Sequence, residues 1–337
     1  MTKKVWSAEL TRPLYMAWMA SIILTGLATL SILTIQPFIS GISFAPDQGF
    51  NWYFWKRPDP DFWSRASVWG AYVLHQLFIW GLIAWAKAHR DQLKNRNKLH
   101  GVNVVAIAGT AFFVLLHYVQ TAVFYDGLGQ DLPVFTSQAS VILLLVVVLL
   151  MEAPRRGLVF GKGKRLFGGV RETLIRYHGY YFAWAITFTY WYHPMETTGG
   201  HLLGFFYTML LFVQAAFIFT RVHSNRYWTL FLEVMVLVHG VTVALVAGQE
   251  FWTMFFFGFF FLFVVTQMHG IGLATKWKWV IGVSFVAAIL AVYAQRGWGN
   301  LNEVLRIPVI DYLLVFVLAG LIFAGQWVVR RLRTTAA

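Results

Sequence analysis

The sequence predicts an all-α fold, a polytopic transmembrane bundle of about ten helical spans with both termini cytoplasmic. Three observations carry that expectation. Apolar residues make up 58% of the 337 and charged residues only 12%, against about a quarter charged in soluble proteins. The apolar residues gather into ten runs, most of them near the roughly 20 helical residues that cross a hydrocarbon core of about 30 Å. The gaps between runs read basic, acidic, basic, acidic from end to end, as expected where Lys and Arg are kept to cytoplasmic loops.

The first run, 14–35, follows a charged start, Met1-Thr-Lys-Lys4. It is long and shows no small-residue cleavage site, so it reads as a span and not as a signal peptide. The stretch 36–66 carries Trp52, Tyr53, Phe54, Trp55, Phe62 and Trp63 around Lys56-Arg-Pro-Asp-Pro-Asp61. An aromatic belt in the outer interface is the expected role, with a lid over an outward-facing cavity as the alternative. Further spans are expected at 67–87, 102–124, 137–152 and 178–193, the last two short and extending into their flanks. Between them lies a basic cytoplasmic loop, 153–177. The remaining spans fall at 202–222, 227–248, 251–274, 278–295 and 308–329. Tyr190, Trp191 and Tyr192 read as interfacial anchors, as do Trp277 and Trp279, and Phe255 to Phe261 as lipid-facing or packing surface. No linker or low-complexity tract interrupts the chain, and no internal repeat relates its halves, so 1–337 reads as one integral membrane domain.

Sidedness follows from the charges. Of the 27 Lys and Arg residues, 22 fall in the gaps on one side of this map. Lys56, Arg57, Arg65, Arg296 and Arg306 stand on the other, with most of the acidic residues. The expected location is a plasma membrane of bacterial type. The net charge of +13 is spread over the ends of the spans and forms no single patch, so nucleic acid is not an expected partner. The expected partners are membrane lipids, a quinone, pigment or lipid ligand, and other membrane subunits. With no cysteine, chemistry falls to His, Glu, Asp or a bound cofactor.

Ionisable groups at bilayer depth are costly and mark candidate sites. His75, His117 and His239 fall at matched depths in the second, third and seventh spans. Thr110, His117 and Thr121 recur at helical spacing with Gln120 adjacent, a polar stripe on an apolar helix. Glu233 and His269 form a second matched layer, with Thr266, His269 and Gly270 sharing a face of the eighth span. These are the candidates for a ligand or proton pathway: Glu233, His239, His269, His117, Gln120 and His75. His193, Glu196 and His201, between the fifth and sixth spans, are the candidate metal ligands.

Three chemistries compete. A b-type haem needs neutral imidazoles from facing helices at one depth, as His75 with His117, or either with His239. A metal ion for redox or lipid-modifying chemistry needs a convergent His and carboxylate set, although no His pair here has metalloenzyme spacing. A proton-coupled carrier would use Glu233, His239 and His269. An accessory subunit of a larger complex is a fourth reading. The common expectation is a histidine-rich polar interior that takes an apolar or amphipathic ligand; the reaction, if any, is not legible.

The map is checked by single-cysteine labelling in sealed vesicles, which a cysteine-free chain permits without background. Trp55→Cys and Lys164→Cys are expected to react with an impermeant maleimide from opposite faces, and labelling of both from one face would overturn the arrangement.

Overall fold

The computed structural model describes residues 10–49, 52–163 and 167–335. Lys3, Lys4, Lys164 and Arg165, counted above for sidedness, lie outside the described residues. The regular structure is helical: α1 (Arg12–Ser31), α2 (Phe62–Ala88), α3 (Gly101–Phe124), α4 (Val134–Arg156), α5 (Gly168–Tyr192), α6 (Gly199–Ala216), α7 (Arg226–Val246), α8 (Trp252–Val265), α9 (Thr275–Arg296) and α10 (Glu303–Thr335). α1 continues through a 3-10 turn, Ile32–Ile35, into one more helical turn, Gln36–Ile39. Nine helices among the described residues are long and apolar enough to cross a membrane, which marks an integral membrane protein. The helix left out is α5, whose first half carries Arg171, Glu172, Arg176 and His178.

Local chemistry sets the ends. Asp61, after Pro58 and Pro60, caps α2 by accepting from the Ser64 amide at 2.8 Å. His100 and Asn103 form a capping box at the start of α3, and Asn225 accepts the Trp228 amide at the start of α7 at 3.0 Å. Each cap satisfies donors that a helix end cannot pair internally. Two ends differ from expectation. α6 stops at Ala216, six residues early, because Asn103 of α3 donates to the carbonyls of Ala216 and Ile218 at 2.8 and 3.0 Å and takes the place of the next helical turn. α8 stops at Val265, where the Thr266 hydroxyl bonds back to the Leu262 carbonyl at 2.6 Å. His269 therefore lies in a 3-10 turn, Gln267–His269, and does not share a helical face with Thr266 and Gly270.

The contacts divide the chain into two compact units, Met1–Val141 with Gly179–Leu232, and Ile142–His178 with Glu233–Ala337. In the first, Leu14 and Trp18 of α1, Ala106 of α3, Leu210, Val213 and Ala216 of α6 and Trp228 of α7 form the core. Trp18 meets Trp228 edge to face at 5.5 Å, and the Trp228 indole donates to Gln214 at 2.7 Å. In the second, Val146, Leu150 and Ala153 of α4 pack with Val170 of α5 and with Val315 and Ala319 of α10. A separate aromatic core joins Phe257, Phe285 and Tyr293. α8 and α10 approach closely at Gly258, where an added Cβ would stand 2.9 Å from the Ile307 Cβ. Large apolar side chains such as Leu24, Leu27, Leu115, Val283, Leu313 and Leu321 remain outside these cores, a surface suited to lipid and not to water.

The expected loop 153–177 is mostly helix, since α4 and α5 extend into it from both sides. Between them, the described residues 157–163 form a tight turn with positive φ at Gly157, Phe160, Gly161 and Gly163. Phe160 donates its amide to the Val265 carbonyl at 2.8 Å, and Tyr312 of α10 donates its hydroxyl to the Leu158 carbonyl at 2.5 Å. A Cβ on Gly157, at φ 75°, would stand 2.3 Å from the Gly161 carbonyl carbon. Gly157→Ala is expected to cost about 1–3 kcal/mol of stability, the range for a strained backbone position. Gly41→Ala, with nothing within 4 Å of the added carbon, should stay within about 0.5 kcal/mol. Thermal unfolding in detergent compares the two, and equal midpoints would contradict the turn.

Candidate functional site

In the first unit α2, α3, α5 and α6 enclose a polar and aromatic cluster. His75 and His117 are fully buried, as are Tyr190 and Trp191 at 1% and 0% exposure. The His75 ring stacks on Phe113 at 4.0 Å, and His117 stacks on the Trp191 indole at 4.3 Å. Trp191 donates its indole N–H to His75 Nδ1 at 3.1 Å. Tyr190, Trp191 and Tyr192 are thus buried core residues and not interfacial anchors. Helical geometry explains the correction: three consecutive residues cover about 200° of a helix, so a short aromatic run must turn part of itself inward.

One contact decides the chemistry of His75. Indole N–H is donor only, so Nδ1 supplies the lone pair and neutral His75 carries its proton on Nε2. Nε2 has no hydrogen-bond partner among the described residues. Both nitrogens are then without a lone pair for a metal, and Trp191 fills the space against His117. The expected haem pair His75 with His117 does not fit this arrangement. His75 and His117 share one cluster, and His239, like Glu233 and His269, belongs to the second unit.

Gln120 lies on the same side of α3 as His117, 3% exposed, with its amide 3.5 Å from the Ser67 hydroxyl. Thr121, one residue on, accepts the Met195 amide at 3.0 Å and ties α3 to the connection between α5 and α6. That connection holds His193, Glu196 and His201. The two imidazoles lie edge to face with centroids 5.0 Å apart, and Trp55 stands edge-on to His201 at 4.2 Å. Glu196 turns to Tyr125, whose hydroxyl donates to it, and Thr198 caps α6 while contacting His201 Nδ1 at 2.8 Å. Among the described residues no group of three or more His, Cys, Asp or Glu is arranged to hold a metal ion. His193 and His201 lie side by side, while the Glu196 carboxylate is engaged by Tyr125.

The aromatic stretch after α1 packs onto this connection. Tyr53 is 6% exposed and lies against Tyr192 and His193 at 5.5 and 5.3 Å. Arg57 exchanges backbone hydrogen bonds with the Gln130 side chain at 2.9 and 3.0 Å. Arg65 pairs with Asp126 at 2.6 Å and with Asp131, which also accepts from Trp69 at 2.8 Å. Burial raises the Asp126 carboxyl above its ordinary value, with Arg65 opposing. At Asp131 burial pushes up, but the bonds from Arg65 and Trp69 outweigh it and hold the carboxyl low.

On the other side of Phe212 lies a groove of about 490 Å³ between α1, α3 and α6. Leu24, Ala28, Val114 and Met209 are among its apolar walls, with Met195 contributed by the α5–α6 connection. Its hydroxyls are turned away: Ser21 bonds to the Ala17 carbonyl and Thr25 to the Ser21 carbonyl, at 2.8 and 2.9 Å. Such bonds back to the preceding turn leave apolar methylene and methyl surface facing the groove. Thr110 of the expected polar stripe also lines it. A polar corner stands at Tyr118, which shares a 2.7 Å hydrogen bond with Thr34. The Phe212 ring is the partition, 5.0 Å from His75 and 5.2 Å from Tyr190.

The second unit holds Glu233, paired with Arg156 of α4 at 2.5 Å, the two side chains 8% and 1% exposed. His269 sets Nε2 against the Val264 carbonyl at 3.1 Å. Sequence reasoning missed Arg156, counted only as a loop charge, and Asp311 of α10, 1% exposed. The signal for Asp311 was present, since a lone acid stands within the tenth apolar run. No family model, curated protein or solved structure matches the chain.

Glu196 lies outside the helices, and its titration is checkable. Burial raises its carboxyl, opposed by the Tyr125 hydroxyl and the Thr197 amide. A raised folded value means that the folded chain holds the proton more tightly than the unfolded chain. The resulting stabilisation is present at low pH and is lost as pH rises from the ordinary carboxylate range through the raised value. Tyr125→Phe removes a donor to the ionised form, so its thermal midpoint should fall further below that of the parent as pH rises from 4 to 8. A pH-independent difference would contradict the pairing.

Proposed function

We propose that this integral membrane protein binds an amphipathic lipid in its first unit, the apolar chain in the groove between α1, α3 and α6. The polar end lies by Tyr118, Thr34 and the 193–198 connection. The groove carries the reading: its volume falls within the roughly 300–1,000 Å³ of small-molecule sites, and its walls are mostly methyl, methylene and aromatic groups, with the Ser21, Thr25 and Ser31 hydroxyls bonded to the preceding turn. Such a surface takes a single long chain and offers nothing to a hydrophilic solute. An acyl lipid, an isoprenoid quinone or a pigment tail shares that chemistry. His75 and Tyr190, against the far face of Phe212, would give such a ligand polar groups close to its site. A proton-coupled carrier is the second reading, favoured by the buried Arg156–Glu233 pair.

Ala111→Trp places an indole in the groove. The protein is purified in detergent, and binding of a fluorescent acyl lipid is titrated on parent and variant. A loss of about tenfold or more is expected, with the unfolding midpoint little changed. Equal binding by a folded variant would refute the groove as the site.

A further inference from the structure

Arg156 is a charged side chain in an apolar interior, and most of its donors are idle. It is 1% exposed, and its Nη1 meets Glu233 Oε2. Its Nε and Nη2 have no hydrogen-bond partner among the described residues, nor does Glu233 Oε1. A guanidinium retained for structure alone in a low-dielectric interior should have its N–H groups satisfied, because each idle one carries a desolvation penalty. The idle pair is also a particular pair. Nε–H and Nη2–H lie along one edge of the planar group and point in parallel, the fork that matches two oxygens of a carboxylate or phosphate.

We infer that Arg156 is an oxyanion-binding residue and that each anion bound there brings one proton onto Glu233. Arg156 and Glu233 are together neutral. An added anion would leave one uncompensated negative charge in a medium that tolerates none. Protonating Glu233 restores neutrality: the guanidinium then faces the anion, and the carboxylic acid stays beside it as a neutral hydrogen-bonding group. The balance is one anion and one proton taken up together, with no net charge moved into the site.

The surrounding groups leave Glu233 as the proton acceptor. On α4, Glu152 is bonded to Arg155, which also donates to the Gly270 carbonyl at 3.1 Å. On α10, Tyr312 donates to Leu158, and Asp311 is buried with Oδ2 unpartnered. Beyond α8, His269 is held on the Val264 carbonyl. On α7 itself, His239 stands six residues on from Glu233. Asp311 has no direct bond to the guanidinium, so Glu233 is the carboxylate whose charge against Arg156 a bound anion would replace. The turn that follows Arg156 supports the choice of an anion, since it carries Lys162 and, among its described residues, no acidic one, and positive charge draws oxyanions. The site lies in the second unit, and none of its residues lines the lipid groove.

The full chain in phosphatidylcholine nanodiscs is titrated by calorimetry with inorganic phosphate and with acetate, and separately with phosphatidic acid included in the disc. Buffers of different ionisation enthalpy count the protons. Binding of at least one probe is expected, tightening as pH falls, with about one proton taken up per anion. A response to the soluble anions identifies a free oxyanion, and a response to phosphatidic acid alone identifies a lipid headgroup. Arg156→Lys keeps the charge without the fork and should weaken binding about tenfold or more. Glu233→Gln keeps a hydrogen-bonding side chain and should bind without proton uptake and without pH dependence; it carries the test if Arg156→Lys does not fold. Failure of the parent to bind any probe, undiminished binding by a folded Arg156→Lys, or proton uptake persisting in Glu233→Gln would each overturn the inference.

Discussion

Hydrocarbon offers no hydrogen bonds, and nearly every feature of this protein answers to that. A chain crossing it must pair its backbone within each segment, which makes the segments helices. Its side-chain polarity must then be hidden within the bundle or bonded to the nearest backbone. α1 does the second, with Ser21 and Thr25 bonded one turn back. α3 does the first, turning Asn103, His117, Gln120 and Thr121 inward while leaving Val104, Phe112 and Leu115 outside. The same pressure makes the exceptions informative, because a polar atom that hydrocarbon surrounds and nothing satisfies is expensive to keep.

The helices were legible because the apolar runs and the charged gaps record the bilayer directly. All ten expected spans fall largely within helices, and the short fourth and fifth runs do extend into their flanks. What failed was any inference needing two segments at once. The early end of α6 depends on Asn103 of α3, which is far away in sequence. Tyr190 and Trp191 looked like belt residues because an isolated segment does not show what its other face meets. Arg156 looked like one more loop charge until α7 placed a carboxylate against it. The candidate site was half legible for the same reason: histidine depth can be counted along a helix, but the ring's partner cannot.

The contact between Trp191 and His75 shows how much one donor can settle. Depth and residue type alone allowed His75 to be a ligand, a proton carrier or a packing residue. A donor-only indole on Nδ1 fixes the neutral tautomer and consumes the lone pair on that side. Whether His75 can ligate a metal then turns on the hydrogen-bonding valence of a residue assigned from the sequence to an interfacial belt.

Phe212 stands between the groove and a packed cluster, lining the groove on one side and meeting His75 and Tyr190 on the other. Close-packed aromatic rings transmit displacement poorly in part and well as a body, because they have few rotamers and no slack. A guest pressing on one side of this ring must be accommodated by the imidazole and phenol behind it. For the proposed lipid, occupancy of the groove and the geometry of the groups behind it would be coupled through the tilt of a single benzyl group.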